Sequence, residues 1–270
     1  MIIDGKKISE EVLAGLKKEI SDKNFELSLG AVLVGDDPEF KKFVDLKSKV
    51  AENVGIAFTT YKFDEDITTE ELKKNMREIS EWSDGVLVEL PLPKHIDQQA
   101  ILNEVPFEKD VDVLSDEAQK LFYKDTSKIN PPAVEALKIM LEKNNISPKG
   151  KKVAVFGQGI LVGKPISHWL EKQGAEVSKI DEFTKNPEKY SKDADIIVSG
   201  VGKPGLITGD IIKKDVVVID FGYGKKGGKM VGDVDSTSVS KKASLLIPVP
   251  GGMGPILIAA VLKNLITLND

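Results

Sequence analysis

The sequence predicts an α/β protein built on parallel sheets. Short apolar runs suited to buried strands alternate with segments whose apolar residues recur at helical spacing. Glycine and proline punctuate the ends of those runs, and a strand near the middle of the chain runs directly into a glycine-rich turn and a helix. With 270 residues, 41% hydrophobic and 30% charged, the chain can fill one large core or two ordinary ones.

Residues 26–34 read as a strand ending at Gly35-Asp36-Asp37-Pro38, residues 39–54 as a helix stopped by Gly55, and residues 56–63 as a second strand. Thr68 is a suitable N-cap for the next helix, with Glu71 three residues on as its capping-box partner. Residues 85–90 form a short buried strand, stopped by Pro91 and Pro93. This βαβαβ order implies parallel strands joined by right-handed crossovers. A helix over 133–143 leads to a second series, with strands over 152–156, 175–180, 196–199 and 216–219 and a helix over 164–172. The domain boundary is expected between Val113 and Pro132, where regular patterning lapses. Residues 245–249 read as a strand, and the apolar run 256–268 as a final helix. Between them Val249-Pro250-Gly251-Gly252-Met253-Gly254-Pro255 is a bare, stiff loop, with prolines fixing φ and glycines letting a backbone or flat ligand approach.

The composition excludes several function classes. A net charge of −5 argues against nucleic acid or an anionic membrane as the main partner. There is no 18-residue apolar run for a membrane span, and Met1 leads into Ile2-Ile3-Asp4-Gly5 without a signal-like segment, so a cytoplasmic protein is expected. The absence of cysteine rules out thiolate catalysis and cysteine-ligated metal. His95 and His168 are too far apart in sequence for a helical metal pair, and no metal is expected.

The chemical signal is strongest at the strand 152–156, which runs into Gly157-Gln158-Gly159-Ile160-Leu161-Val162-Gly163. Glycines at such a turn permit the bend, the approach of a pyrophosphate and close helix packing. The helix N-terminus beyond them offers free N–H groups and partial positive charge. The spacing Gly-x-Gly-x-x-x-Gly is one residue longer than the commonest form. Asp181 ends the next strand, where a carboxylate accepts the ribose hydroxyls of NAD and repels the extra phosphate of NADP. Gly200-Val201-Gly202, at another strand end, is a third candidate cofactor segment. Taken singly, each turn also reads as an ordinary βα connection.

Several spaced motifs together resemble the bifunctional methylenetetrahydrofolate dehydrogenase/cyclohydrolase family over nearly the whole chain. They are Gly35-Asp36-Asp37-Pro38 with Lys47 following, Leu90-Pro91-Leu92-Pro93-Lys94-His95-Ile96, Lys109-Asp110-Val111-Asp112, Val162-Gly163-Lys164-Pro165, Gly232-Asp233-Val234 and residues 248–255. The resemblance implies two α/β domains flanking a cleft, the second a Rossmann-like parallel sheet, with the C-terminal helix returning to the first domain. Residues 1–120 plus 250–270 would form the folate-binding domain and 121–249 the dinucleotide-binding domain, usually in a homodimer. It implies oxidation of 5,10-methylenetetrahydrofolate with NADP or NAD, then hydrolysis of the methenyl product to 10-formyltetrahydrofolate.

Carried over by position, Lys47 looks like the catalytic lysine, and Asp112 like the carboxylate that accepts paired N–H donors from the pterin edge. Phe43, Leu90, Pro91, Pro250, Gly251 and Gly252 look like further folate contacts. Gly157, Gln158, Gly159, Val162, Gly163, Lys164, Pro165, Asp181, Gly200, Val201 and Gly202 look like the cofactor site. Four departures matter. Phe43 stands where the family usually has tyrosine. Glu89 stands for glutamine, where a carboxylate would hold Lys47 protonated, or would itself shuttle the proton with Lys47 as electrostatic partner. Val113 stands for glycine, so a different local turn is expected. Gln158-Gly159 and Asp181-Glu182-Phe183-Thr184 replace segments that supply cationic or neutral partners to a 2′-phosphate, so NAD is expected to serve at least as well as NADP, with Lys179 and Lys185 nearby. Three alternatives remain open at this level: a dehydrogenase with impaired cyclohydrolase, a non-catalytic nucleotide-binding protein on the same scaffold, and an oxidoreductase of the same architecture acting on another carbon carrier or a small hydroxy acid.

Overall fold

The computed structural model describes residues 1–270 and divides into two compact units. One comprises residues 11–132 and 258–270, and the other residues 1–10 and 133–257, so the division falls inside the first and last helices.

The unit of residues 11–132 and 258–270 is built on a three-stranded parallel sheet of β1 (Ser28–Val34), β2 (Ala57–Phe63) and β3 (Gly85–Val88), in the order β2-β1-β3. The helix α2 (Pro38–Val54) connects β1 to β2, and α3 (Thr69–Trp82) connects β2 to β3. Asp37 caps α2 by accepting from Glu39 N at 2.7 Å, and Gly55 ends it in the left-handed region at φ 98°. The capping box of α3 is present as expected, with Thr68 and Glu71 each accepting from the other's backbone N–H. Short helices α4 (Gln98–Leu102) and α5 (Asp116–Tyr123) follow, so the segment where patterning lapses holds a helix of its own. The core on one side of the sheet joins Leu29, Ala31 and Leu33 of β1 to Val44, Ala51 and Val54 of α2 and to Val261, Leu262, Leu265 and Ile266 near the C-terminus. Thus the distal part of the last helix packs with this unit, as the sequence implied.

The other unit holds a five-stranded parallel sheet of β4 (Lys152–Phe156), β5 (Glu176–Ile180), β6 (Ile196–Ser199), β7 (Val217–Asp220) and β10 (Leu245–Ile247), in the order β10-β7-β6-β4-β5. Numbered by their order within this sheet, the strands run 2-1-3-4-5, a doubly wound arrangement whose switch point lies between β4 and β6. The strands β4, β6, β7 and β10 are mostly buried and apolar, as parallel strands covered on both faces are, whereas the edge strand β5 buries only Ile180. The helices α6 (Pro132–Lys143), α7 (Gly163–Lys172), α8 (Glu188–Asp193) and α9 (Ser236–Val239) accompany it, and β8 (Gly224–Lys226) and β9 (Lys229–Val231) form a small antiparallel hairpin. The final helix, α10 (Met253–Leu268), begins three residues earlier than its apolar run suggests.

The first helix, α1 (Gly5–Lys23), is not among the expected elements, although Val12, Leu16 and Ile20 recur at helical spacing. Its N-terminal end falls in the dinucleotide-type unit rather than with the following residues. The reason is backbone pairing: Ile3 N donates to Leu246 O and Gly5 N to Gly251 O, each at 2.9 Å. A side chain on Gly5 would collide with the Gly252 carbonyl, so glycine is required for this approach.

Candidate active site and cofactor site

Lys47 lies on α2, one turn after Phe43, and Glu89 follows the last residue of β3. Lys47 Nζ donates to Glu89 Oε1 at 2.5 Å, with the two side chains only 21% and 10% exposed. Glu89 is held by its own backbone N–H, which donates to Val32 O at 2.9 Å and continues the sheet pairing past β3. The carboxylate substitution at position 89 therefore places an ion pair where the lysine's function is expected.

Asp112 joins this pair. Burial pushes its carboxyl up to about 7, against the pull of Lys47, while Asp110 and Glu89 repel its charge and push it further. Lys47, Glu89 and Asp112 thus form one electrostatic cluster of one cation and two carboxylates. The segment bearing Asp112 is fixed from several sides. Val86 N donates to Lys109 O at 2.8 Å, and the buried Asp110 accepts from Leu114 N and Ser115 N at 2.9 and 2.7 Å. Asn264 on α10 donates to Val111 O at 2.9 Å and to Asn130 O at 2.8 Å. Asn264 carried no motif signal, and only its polarity within an apolar helix marks it out.

Val113 adopts φ 58°, the left-handed region that a β-branched residue rarely enters. Its side chain is buried, so packing offsets the backbone cost.

Of the expected folate contacts, Phe43, Leu90 and Pro91 lie in the same unit as Lys47, and Leu90–Pro91 is a cis peptide. Pro250, Gly251 and Gly252 belong to the other unit, on a loop with a second cis bond at Val249–Pro250 and Gly251 at φ 88°.

In that other unit, a cavity of about 560 Å³ opens at the C-terminal ends of β4, β5 and β6, beside the switch point where doubly wound sheets bind ligands. Gly157, Gln158, Gly159, Lys164, Asp181 and Val201 line it as expected, joined by Phe156, Ile180, Glu182, Phe183, Pro187, Lys203 and Leu206. Val162, Gly163, Pro165, Gly200 and Gly202 do not line it. A Cβ on Gly163 would strike the Gly157 carbonyl, and one on Gly200 would press on Val162. Asp233, fully buried, accepts from Ser199 Oγ, Val201 N and Lys203 N at 2.6–2.7 Å and so holds the turn after β6.

A dinucleotide fits this arrangement. Gly159 has nothing within 4 Å of where a Cβ would stand, leaving room for a pyrophosphate. No side chain caps the N-terminus of α7, unlike α2, α3 and α5, so its first N–H groups are left for an anion.

A two-unit α/β chain, with a glycine-loop cavity at the switch point of one unit and a half-buried Lys-Glu-Asp cluster in the other, has the architecture of a nicotinamide-dependent oxidoreductase. Residues 3–112 match the family model for the tetrahydrofolate dehydrogenase/cyclohydrolase catalytic domain, and residues 131–270 match the model for the NAD(P)-binding domain of the same enzymes. The chain is 40% identical to a bifunctional FolD protein of Mycoplasmopsis synoviae, covering 99% of both. Its fold superposes on the FolD dehydrogenase/cyclohydrolase of Campylobacter jejuni with a TM-score of 0.95 at 33% identity, covering 100% of this chain and 98% of that one. It also superposes on the Trypanosoma brucei FolD, solved with NADP and an inhibitor, with a TM-score of 0.94 at 29% identity, covering 99% and 96%. The chain belongs to the tetrahydrofolate dehydrogenase/cyclohydrolase family, bifunctional enzymes of one-carbon metabolism that use NAD(P). The non-catalytic alternative is thereby set aside. No helix is long and apolar enough to cross a membrane.

Proposed function

We propose that this chain oxidises 5,10-methylenetetrahydrofolate and hydrolyses the methenyl product, with Lys47, Glu89 and Asp112 as its folate-side machinery. The observation that carries this is the 2.5 Å Lys47–Glu89 contact beside Asp112. Asp112 accepts the paired N–H donors of the pterin ring and fixes its orientation. The nicotinamide ring accepts the hydride from the methylene carbon. Phe43, one helical turn from Lys47, offers an aromatic face to the folate without the hydroxyl of a tyrosine.

In the hydrolytic step, water adds to the methenyl carbon and loses a proton to Glu89. Lys47, paired with Glu89, stabilises the oxygen that becomes the formyl group. As the bond from that carbon to N5 breaks, the hydroxyl releases its remaining proton to solvent and becomes the formyl C=O, protonated Glu89 returns its proton to N5, and the formyl group stays on N10. Glu89 is the acceptor because an ammonium engaged in an ion pair has no lone pair to offer. The test follows methenyltetrahydrofolate hydrolysis in the parent and two variants. Lys47→Met and Glu89→Gln are each expected to slow it by roughly 100-fold or more. If Glu89→Gln is faster than the parent, Lys47 is the base. Unchanged hydrolysis in Lys47→Met removes the lysine from the mechanism.

The same reading takes the protein to a homodimer through the β8–β9 hairpin, which exposes Met230. Sedimentation is expected to give a dimer that Met230→Asp weakens.

A further inference from the structure

The acidic rim at the end of β5 makes a choice that the family assignment leaves open. We infer that Asp181 and Glu182 set this enzyme to bind NAD in preference to NADP, by presenting two carboxylates where the adenosine ribose is held. The inference rests on the proposed dehydrogenase activity, with its dinucleotide held in the glycine-loop cavity, and deepens it.

In a doubly wound sheet, the acid at the end of the strand after the glycine loop faces the ribose hydroxyls. Here β5 pairs directly with β4, and Ile180, Asp181, Glu182 and Phe183 all line the cavity. Asp181 is held in place. Its Oδ1 accepts from Phe183 N at 3.1 Å and from Thr184 Oγ1 at 2.7 Å, while Thr184 Oγ1 accepts from Asp181 N at 3.0 Å. Those bonds favour the ionised form and hold its carboxyl below the usual range. They also leave Oδ2 to accept from a ribose hydroxyl.

The groups that would welcome a 2′-phosphate are engaged or elsewhere. The Thr184 hydroxyl is committed to Asp181. Gln158 folds its amide back onto Val155 O and Gly157 O at 3.2 and 3.0 Å. Lys179 is paired with Glu171 at 2.8 Å, and Lys185 does not line the cavity. The two lysines that do line it, Lys164 and Lys203, follow the glycine loop and β6, on the side of the pyrophosphate and nicotinamide. A 2′-phosphate brings nearly two negative charges toward two carboxylates with no compensating cation. Each such repulsion at the edge of a cavity is worth about tenfold in affinity.

The test is direct binding of NAD and NADP, by calorimetry and without folate, to the parent and to the Asp181→Asn/Glu182→Gln double variant. Asparagine keeps the Oδ1 acceptor for the turn and removes the charge. The expected result is a dissociation constant for NAD at least tenfold below that for NADP in the parent, and a ratio narrowed to under threefold in the variant. Equal affinities in the parent, or tighter NADP, overturn the inference while leaving the dehydrogenase reading intact. A preference for NAD that the double variant retains takes the choice away from these two residues and overturns their assignment. Binding of neither nucleotide overturns the dinucleotide-site reading itself.

Discussion

Asp112, in its proposed role, combines two requirements that pull in opposite directions. To hold a pterin ring through two N–H donors, as proposed, it must be ionised. Burial and the neighbouring carboxylates instead favour its protonated form, with a pKa of about 7. Folate affinity is therefore expected to fall as pH drops below about 7, approaching tenfold per unit, measured as KM or as direct binding of a folate analogue. In the free protein the linkage has a definite sign. The native state binds this proton more tightly than the unfolded chain, so its contribution to stability is lost as pH rises from about 4 through 7. Asp112→Asn is expected to stabilise the free protein at pH 8 by about 4 kcal/mol, with the gain vanishing near pH 4, while weakening folate binding most above pH 7, where the parent carboxylate is ionised. A destabilised Asp112→Asn protein at pH 8 would show that Asp112 is charged without strain. The motif position of Asp112 was readable in the sequence. Its electrostatics were not, because they depend on Lys47 and Glu89, which are distant along the chain.

At the scale of elements, the turn between β4 and α7 separates two kinds of glycine that the sequence presents as alike. Gly163 is pressed against the Gly157 carbonyl, and a methyl group there would push α7 off the strand. Gly159 faces open space in the cavity and has no protein neighbour to disturb. Gly163→Ala is expected to lower the denaturation midpoint, as overpacking by about 1–3 kcal/mol would do. Gly159→Ala is expected to leave the midpoint within about 0.5 kcal/mol of the parent while weakening dinucleotide binding at least tenfold. Equal effects of the two changes on stability would contradict this division. The strands were legible because a buried parallel strand is a short apolar run, and β4 and β6 fall on their expected residues. Helix α5 was not, since its eight residues bury little beyond Ala118 and Phe122. The hairpin β8–β9 turns through Gly227 and Gly228, both at positive φ.

For the molecule as a whole, the parts that sequence could not place are those where distant segments meet. The first residues pair with the edge strand β10 through backbone groups, which carry no side-chain signature. Residues 250–257 fall with the dinucleotide-type unit, although the expected division assigned them to the folate-binding one. Asn264 reaches back to Val111 O and steadies the segment that carries Asp112, a contact across 153 positions of chain. What was legible was where the local motifs fall: the glycine loop after β4, the acid at the end of β5, and the lysine on α2. The central claim is that these motifs serve one enzyme with two linked reactions. It is tested most directly by adding 5,10-methylenetetrahydrofolate with NAD, and separately with NADP, while following the absorbance of reduced nicotinamide and of the methenyl product. The account predicts reduced nicotinamide with at least one cofactor, with methenyl product rising and then decaying faster than in enzyme-free buffer. Absence of reduced nicotinamide with both cofactors would contradict it.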